Sequence, residues 1–183
     1  LLRIARKIGG AKAWGESMRF VKSRHIALLA ALISAPASSV AQTSTTSDFT
    51  VQITIQAACQ INSTTLLNFG NSGFIAAEVD ATSQIVVQCT SSTPYSLGLS
   101  AGAGTGATVA NRLMTGPSGA TVSYSLYRDS GHTQLWGNTI GTDRQTGTGT
   151  GSAQTYTVYG RVPAQTTPIP GVYTDTVRAT LTY

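Results

Sequence analysis

From residue 84 onward, apolar side chains recur at every second position. Ile85, Val87 and Cys89 alternate with Gln84, Val86 and Gln88; Tyr95, Leu97 and Leu99 alternate with Ser96, Gly98 and Ser100; Val122, Tyr124 and Leu126 alternate with Ser123, Ser125 and Tyr127. Tyr156, Val158 and Val162 alternate with Thr155, Thr157 and Arg161, and Val177, Ala179, Leu181 and Tyr183 with Thr176, Arg178, Thr180 and Thr182. Successive side chains of a strand point to opposite faces, so each run predicts a strand with one buried face. The runs are separated by turn-forming clusters at Gly102 to Gly106, Gly116 to Gly119, Gly147 to Gly151 and Pro168 to Gly171. Short alternating strands punctuated in this way predict an all-β, antiparallel β-sandwich.

Composition supports strands over helices. After residue 41 there is no lysine and one glutamate, Glu78, while threonine, serine, glycine and valine dominate. Strong helix formers are scarce and β-branched residues are abundant.

The formal charge of +5 is misleading, because the basic residues are not spread along the chain. Lys7, Lys12 and Lys22, together with Arg3, Arg6, Arg19 and Arg24, all fall before residue 25. From Met18, the basic positions lead into the apolar run Ile26 to Ala35, then Pro36, then Ser39, Val40 and Ala41. This is the layout of a secretory signal peptide over 18–41, with cleavage expected after Ala41. The apolar run is about half the ~20 residues that a membrane-spanning helix needs. Residues 1–17 match no processed segment, and translation is expected to start at Met18. Residues 42–183 carry Arg112, Arg128, Arg144, Arg161 and Arg178 against Asp48, Glu78, Asp80, Asp129, Asp143 and Asp175, a net charge of −1. No basic patch for nucleic acid or an anionic membrane remains, so neither nucleic-acid binding nor membrane insertion is expected.

Cys59 and Cys89 both lie in the exported part, where oxidising surroundings favour one disulfide between them. Closing that loop is worth about 3.5 kcal/mol in the chain-entropy treatment. Two cysteines with the one exported histidine, His132, do not make a structural zinc site, and no cofactor is expected.

The remaining chemical candidates are weak. Gly102, Gly104 and Ala107 fit a loose dinucleotide-loop spacing, but no helical pattern follows them, and Gly147, Gly149 and Gly151 read as another loop. Glu78 and Asp80 could serve as a carboxylate pair or as calcium ligands, although carboxylates at the start of a strand are commoner as plain surface groups. His132 sits between Asp129 and Trp136 and reads as a solvated turn histidine rather than a general base. No Gly-x-Ser-x-Gly elbow occurs. Asn62, Ser63 and Thr64 form a glycosylation sequon that matters only in a eukaryotic secretory pathway. No enzymatic activity is expected.

An ordered set of short motifs covers nearly all of 42–183: Cys59 with Ile61; Leu67, Asn68, Phe69 and Gly70; Cys89; Tyr95 through Gly102; Asn111, Arg112, Leu113 and Met114; Tyr124, Leu126, Tyr127, Arg128 and Asp129; Leu135, Trp136 and Gly137; Val158 to Val162; and Gly171, Tyr173, Asp175, Thr176, Val177 and Tyr183. In this order the chain resembles the spore coat protein U and archaic, Csu-type chaperone–usher pilin family of Gram-negative bacteria. Asn68 departs from that family's frequent aspartate in Leu-x-Phe-Gly, which implies a local hydrogen-bond change and the same role.

The resemblance implies an incomplete immunoglobulin-like sandwich over 59–183 that lacks its last strand. Its apolar groove would be filled first by a periplasmic chaperone and then, at an outer-membrane usher, by a strand from the neighbouring subunit. Residues 42–58 would be the N-terminal extension. Within it Phe49, Val51, Ile53 and Ile55, spaced by two, are the expected donor strand, unless the stretch is the first strand of its own domain. Val177, Ala179, Leu181 and Tyr183 are the expected strand facing the chaperone and the groove. The implied role is a subunit of a surface pilus or fimbria exported through the periplasm and supporting adhesion or biofilm formation. The alternatives are a non-polymerising spore or cyst coat protein and a carbohydrate-binding adhesin. A tip adhesin with two domains is expected to be about twice this length.

Overall fold

The computed structural model describes residues 39–183, so the region 1–17 and the leader from Met18 to Ser38 lie outside the described residues. The chain divides between Thr50 and Val51. The described residues before that point, 39–50, carry neither helix nor strand, and all the strands lie in the second unit.

In chain order the strands are β1 (Cys59–Thr64), β2 (Val79–Cys89), β3 (Pro94–Leu99), β4 (Arg112–Thr115), β5 (Thr121–Tyr127), β6 (Gln145–Thr148), β7 (Ala153–Val162) and β8 (Ala179–Thr182). A single 3-10 turn, Pro117–Gly119, links β4 to β5. The strands form two antiparallel sheets, one of five in the order β1-β2-β7-β5-β4 and one of three in the order β6-β3-β8.

The predicted alternation is what buries the core. Ile85, Val87 and Cys89 of β2, Val122, Tyr124 and Leu126 of β5 and Val158 and Val162 of β7 face Tyr95, Leu97 and Leu99 of β3, all within one buried cluster. Between the sheets, the hydroxyls of Tyr95 and Tyr156 are hydrogen-bonded at 2.7 Å. Burial and that bond push the Tyr95 phenol well above its usual range. Trp136, from the long β5–β6 connection, is 1% exposed, and its indole N–H donates to the carbonyl of Leu97 at 2.9 Å.

Between β1 and β2 the chain crosses over the core. A side chain at Gly160 of β7 would collide with Leu67 and Phe69, so glycine there lets both descend onto the sheet. Phe69 then meets Tyr124 edge-on, with ring centroids 6.1 Å apart. Asn68 turns outward and its Oδ1 accepts the backbone N–H of Gly70, which adopts φ +78°. The crossing ends at Ile75, whose N–H donates to Thr167 Oγ1 and whose carbonyl accepts from Gln165.

Three strands fall outside the alternating runs read from the sequence. β1, β4 and β6 are short and only partly buried. At the other end of the chain, the run from Val177 to Tyr183 pairs only over Ala179–Thr182, because its partner β3 stops at Leu99.

Cys59 and Cys89 face each other across β1 and β2 and are joined by a disulfide. It ties the edge strand β1 to the sheet interior, since Cys89 is 1% exposed. Replacing both cysteines by serine is expected to lower stability by about 2–4 kcal/mol. Urea unfolding of the double variant beside the oxidised protein measures this, and equal midpoints would show that the bridge adds nothing.

Candidate functional site

The feature that sets this sandwich apart is an open side. β8 is bonded to β3 along one edge, and among the described residues no strand pairs with its other edge. β1 is likewise the terminal strand of the larger sheet, and β1 and β8 approach each other on the same side of the sandwich.

The backbone of β8 has a definite sense. The N–H of Ser100 donates to the carbonyl of Arg178 at 3.0 Å, and the N–H of Arg178 donates to Ser100 Oγ at 2.9 Å. Peptide groups alternate in direction along a strand. Those of Arg178, Thr180 and Thr182 therefore face β3, and those of Val177, Ala179 and Leu181 face the open edge. The same three residues turn their side chains toward the core, where they pack half-buried, as Ile61 does from β1. In a closed sandwich another strand would cover them. Here the half-buried apolar side chains and the outward-turned peptide groups lie along an edge that has no strand partner among the described residues.

Three polar side chains brace this strand and the segments around it. Asp175 precedes it; its Oδ2 accepts the Tyr124 hydroxyl at 2.6 Å, and its Oδ1 accepts the N–H groups of Ala103 and Thr176 at 2.7 Å each. Burial, reinforced by this carboxylate, pushes the Tyr124 phenol far above its usual range. Arg112 is fully buried and donates to the carbonyls of Ser100, Val109 and Trp136 at 2.9, 2.8 and 2.6 Å. On the outer face, Arg144 lies over Gly98, where a side chain would displace it, and its Nη1 donates to Thr182 Oγ1 at 2.8 Å. These arginine roles were not visible in the sequence. The hint in the sequence is slight: few basic residues stand in 42–183, and Arg112 precedes the apolar pair Leu113 and Met114.

The expected donor residues lie elsewhere. Residues 39–58 have no strand pairing, and Phe49, Val51, Ile53 and Ile55 are 86%, 83%, 82% and 73% exposed. They do not form a first strand within the sheet of their own domain; pairing begins at Cys59. Ile55, Gln56 and Ala57 border only a shallow, open depression against Thr90 to Pro94.

The carboxylates weighed as chemical candidates are engaged in a surface clamp. Asp80 accepts two bonds from Arg161, from Nε at 2.7 Å and from Nη2 at 2.8 Å, and Glu78 lies 2.9 Å from Arg161 Nη1. Residues 80 and 161 are direct cross-strand partners on β2 and β7. His132 is in a turn, at φ +53°, but it is not solvated. Its side chain is 8% exposed, packed edge-on against Tyr127 and Tyr159, with Nε2 3.8 Å from Asp80 Oδ1. The two tyrosines, paired across β5 and β7, supply a slot that local sequence does not reveal. Among the described residues no group of three or more His, Cys, Asp or Glu side chains is placed to hold a metal, and no helix is long and apolar enough to cross a membrane.

The architecture is that of an incomplete immunoglobulin-like β-sandwich with one disulfide. The chain belongs to the Spore Coat Protein U domain family, which it matches over residues 45–180. It is 32% identical over 173 residues to Protein U of Myxococcus xanthus, an alignment covering 86% of this chain and 96% of that protein. Among solved structures it is similar to the CsuC–CsuE chaperone–tip adhesion subunit pre-assembly complex from the archaic chaperone–usher Csu pili of Acinetobacter baumannii. That match has a TM-score of 0.52 and 24% identity over 71% of this chain, and spans 40% of the solved chain.

The clamp generates a pH dependence. The hydrogen bonds from Arg161, with the charges of His132 and Arg161 adding, hold Asp80 below its ordinary 3.8, against a smaller opposing effect of burial. A carboxylate depressed in the folded state stabilises the fold above its unfolded pKa, and that contribution is lost as pH falls through the folded value. Asp80→Asn is expected to lower the urea midpoint modestly at neutral pH, because the pair is half exposed and screened. The difference from the parent should shrink as pH falls below 3.8. A difference independent of pH would remove the clamp as its cause.

Proposed function

We propose that this chain is a structural subunit of a surface pilus or fimbria, exported through the periplasm and assembled by strand addition between neighbouring copies. The observation that carries the proposal is a complementarity within one chain. β8 has an open edge lined by half-buried Val177, Ala179 and Leu181, and the same chain carries an unpaired segment with four apolar side chains at strand spacing. In water both leave apolar side chains uncovered. Chaperone–pilin complementation is a known instance of such strand addition, in which main-chain bonds supply affinity and alternate side chains fill pockets.

In this reading a periplasmic chaperone covers the β8 edge first. At an outer-membrane usher the 49–55 segment of the next subunit replaces it. The likeness to a chaperone–subunit complex supports the chaperone as a partner, as an argument from fold. Burying each of Phe49, Val51, Ile53 and Ile55 contributes about 1.5–3 kcal/mol, before the cost of ordering the segment. Adhesion or biofilm formation is the role such a fibre would serve. The fibre is preferred over a coat layer because it gives both the open edge and the apolar extension a use, and it requires no catalysis.

The test compares two charged substitutions, each chain expressed with its chaperone. Ile53→Asp is expected to leave the soluble chaperone complex intact and to abolish assembled fibres, because residue 53 lies outside the core of its own domain. Leu181→Asp is expected to lose the subunit altogether, because that side chain packs on the core. Equal loss of the chaperone complex in both variants would make 49–55 part of the subunit's own fold and defeat the proposal.

A further inference from the structure

This inference rests on the fibre reading above and specifies how two copies join. We propose that residues 49–55 of one copy add to β8 of the next in a single antiparallel register, with Phe49 opposite Tyr183, Val51 opposite Leu181, Ile53 opposite Ala179 and Ile55 opposite Val177.

The direction follows from the two ends of the sandwich. Cys59 pairs with Cys89, and β3 begins five residues later at Pro94, so β1 and β3 both start at one end of the sandwich. β8 runs antiparallel to β3, with Ser96 opposite Thr182 and Leu99 opposite Ala179. Thr182 and Tyr183 therefore point toward the end where the extension leaves its own domain, and Val177 toward the far end. In a head-to-tail assembly the extension-bearing end of one copy meets the far end of the next. Ile55, nearest its own domain, then enters beside Val177, and Phe49 reaches toward Tyr183, which makes the added strand antiparallel to β8.

The register is fixed by three further observations. Directly opposite residues of an antiparallel pair share a face, so Phe49, Val51, Ile53 and Ile55 must oppose the inward-facing set of β8, and allowed registers differ in steps of two. Sliding one step in one direction sets Ile55 against Asp175, whose carboxylate is already bound by Tyr124 and Ala103. Sliding the other way leaves Val177 uncovered. The proposed register sets an apolar side chain against an apolar one at all four positions, with bulky Ile53 over small Ala179 and Phe49 beside Tyr183, which is 61% exposed.

Charge agrees. Asp48 is the one charged residue of 42–58. In this register it falls on the outer face, diagonal to Thr182, at about 7–8 Å and within reach of a long side chain. Arg144 already donates to Thr182 Oγ1 there and has no carboxylate partner among the described residues.

The peptide directions of β8 make the register testable. Because Val177, Ala179 and Leu181 turn their peptide groups to the open edge, the pairs Gln52/Thr180 and Thr54/Arg178 are the non-hydrogen-bonded ones. Their Cα atoms would lie about 4.5 Å apart, within disulfide range. The experiment uses the full chain in fibres sheared from cells and run on gels without reductant. Gln52→Cys with Thr180→Cys, and separately Thr54→Cys with Arg178→Cys, should convert the monomer band into a covalent ladder that collapses on reduction. The pairs shifted by two, Gln52→Cys with Arg178→Cys and Thr54→Cys with Thr180→Cys, should leave the monomer in place. Both matched pairs giving ladders also excludes a parallel strand, which cannot satisfy the two together. Fibres that form but ladder only through a shifted pair, or through neither matched pair, overturn the register and leave the fibre reading standing. Absence of fibres from the unsubstituted chain overturns both.

Discussion

The Arg112 guanidinium is buried, with no carboxylate bound to it among the described residues, and the open side of the sandwich depends on how that charge is satisfied. Burial works against its charged form, offset in part by Tyr124, Asp175 and Asp143. Four main-chain carbonyls receive its N–H groups, those of Leu99, Ser100, Val109 and Trp136. Charge-assisted bonds of this kind are stronger than neutral ones, and leaving the carbonyls unpaired would be costly. The guanidinium thereby fixes the end of β3, the β3–β4 loop and the Trp136 segment against one another. Ser100, held in this way, grips the backbone of Arg178 and sets the sense of β8.

A terminal strand with one neighbour would ordinarily fray. β8 is instead anchored at its start by Ser100 and near its end by Arg144, which reaches Thr182 over the bare backbone of Gly98. A rigid edge lowers the ordering cost of adding a strand, which is the physical meaning of preorganisation. Exposed edges also invite unwanted pairing, and proteins commonly blunt them with charges, prolines or bulges. The inward set on β8 has none of these; the nearest charge, Arg178, points outward. The edge therefore lacks the usual protections against pairing.

Much of this architecture was legible in the sequence, for identifiable reasons. β2, β3, β5 and β7 each bury one face, so their period of two is strong. β6, with Gln145, Thr146, Gly147 and Thr148, has no apolar side chain to carry a pattern, and β4 is too short to establish one. The disulfide was expected from two cysteines lying behind a predicted leader. The polar interior was not legible. Arg112 is satisfied by a carbonyl 24 positions away, and the slot around His132 is built by tyrosines from two strands. Such partners meet only through tertiary structure. The alternation at 49–55 predicts a strand, whereas among the described residues the segment is unpaired and its apolar side chains are exposed.

The placement of the arginines has a chemical consequence. Beyond Lys22 the chain has no lysine, so reagents directed at side-chain amines find no target in residues 42–183. Proteases that cut after basic residues fare little better. Arg112 and Arg144 are buried, Arg128 is half-buried with its backbone N–H bonded to Gln134 and its side chain to the Arg144 carbonyl, Arg161 is clamped within β7, and the backbone at Arg178 is bonded to Ser100. Amine-reactive fixatives will leave the folded domain uncrosslinked, and limited digestion with trypsin-like enzymes will be slow. Even after denaturation, such digestion leaves an uncut span from the expected cleavage site to Arg112 that holds both cysteines.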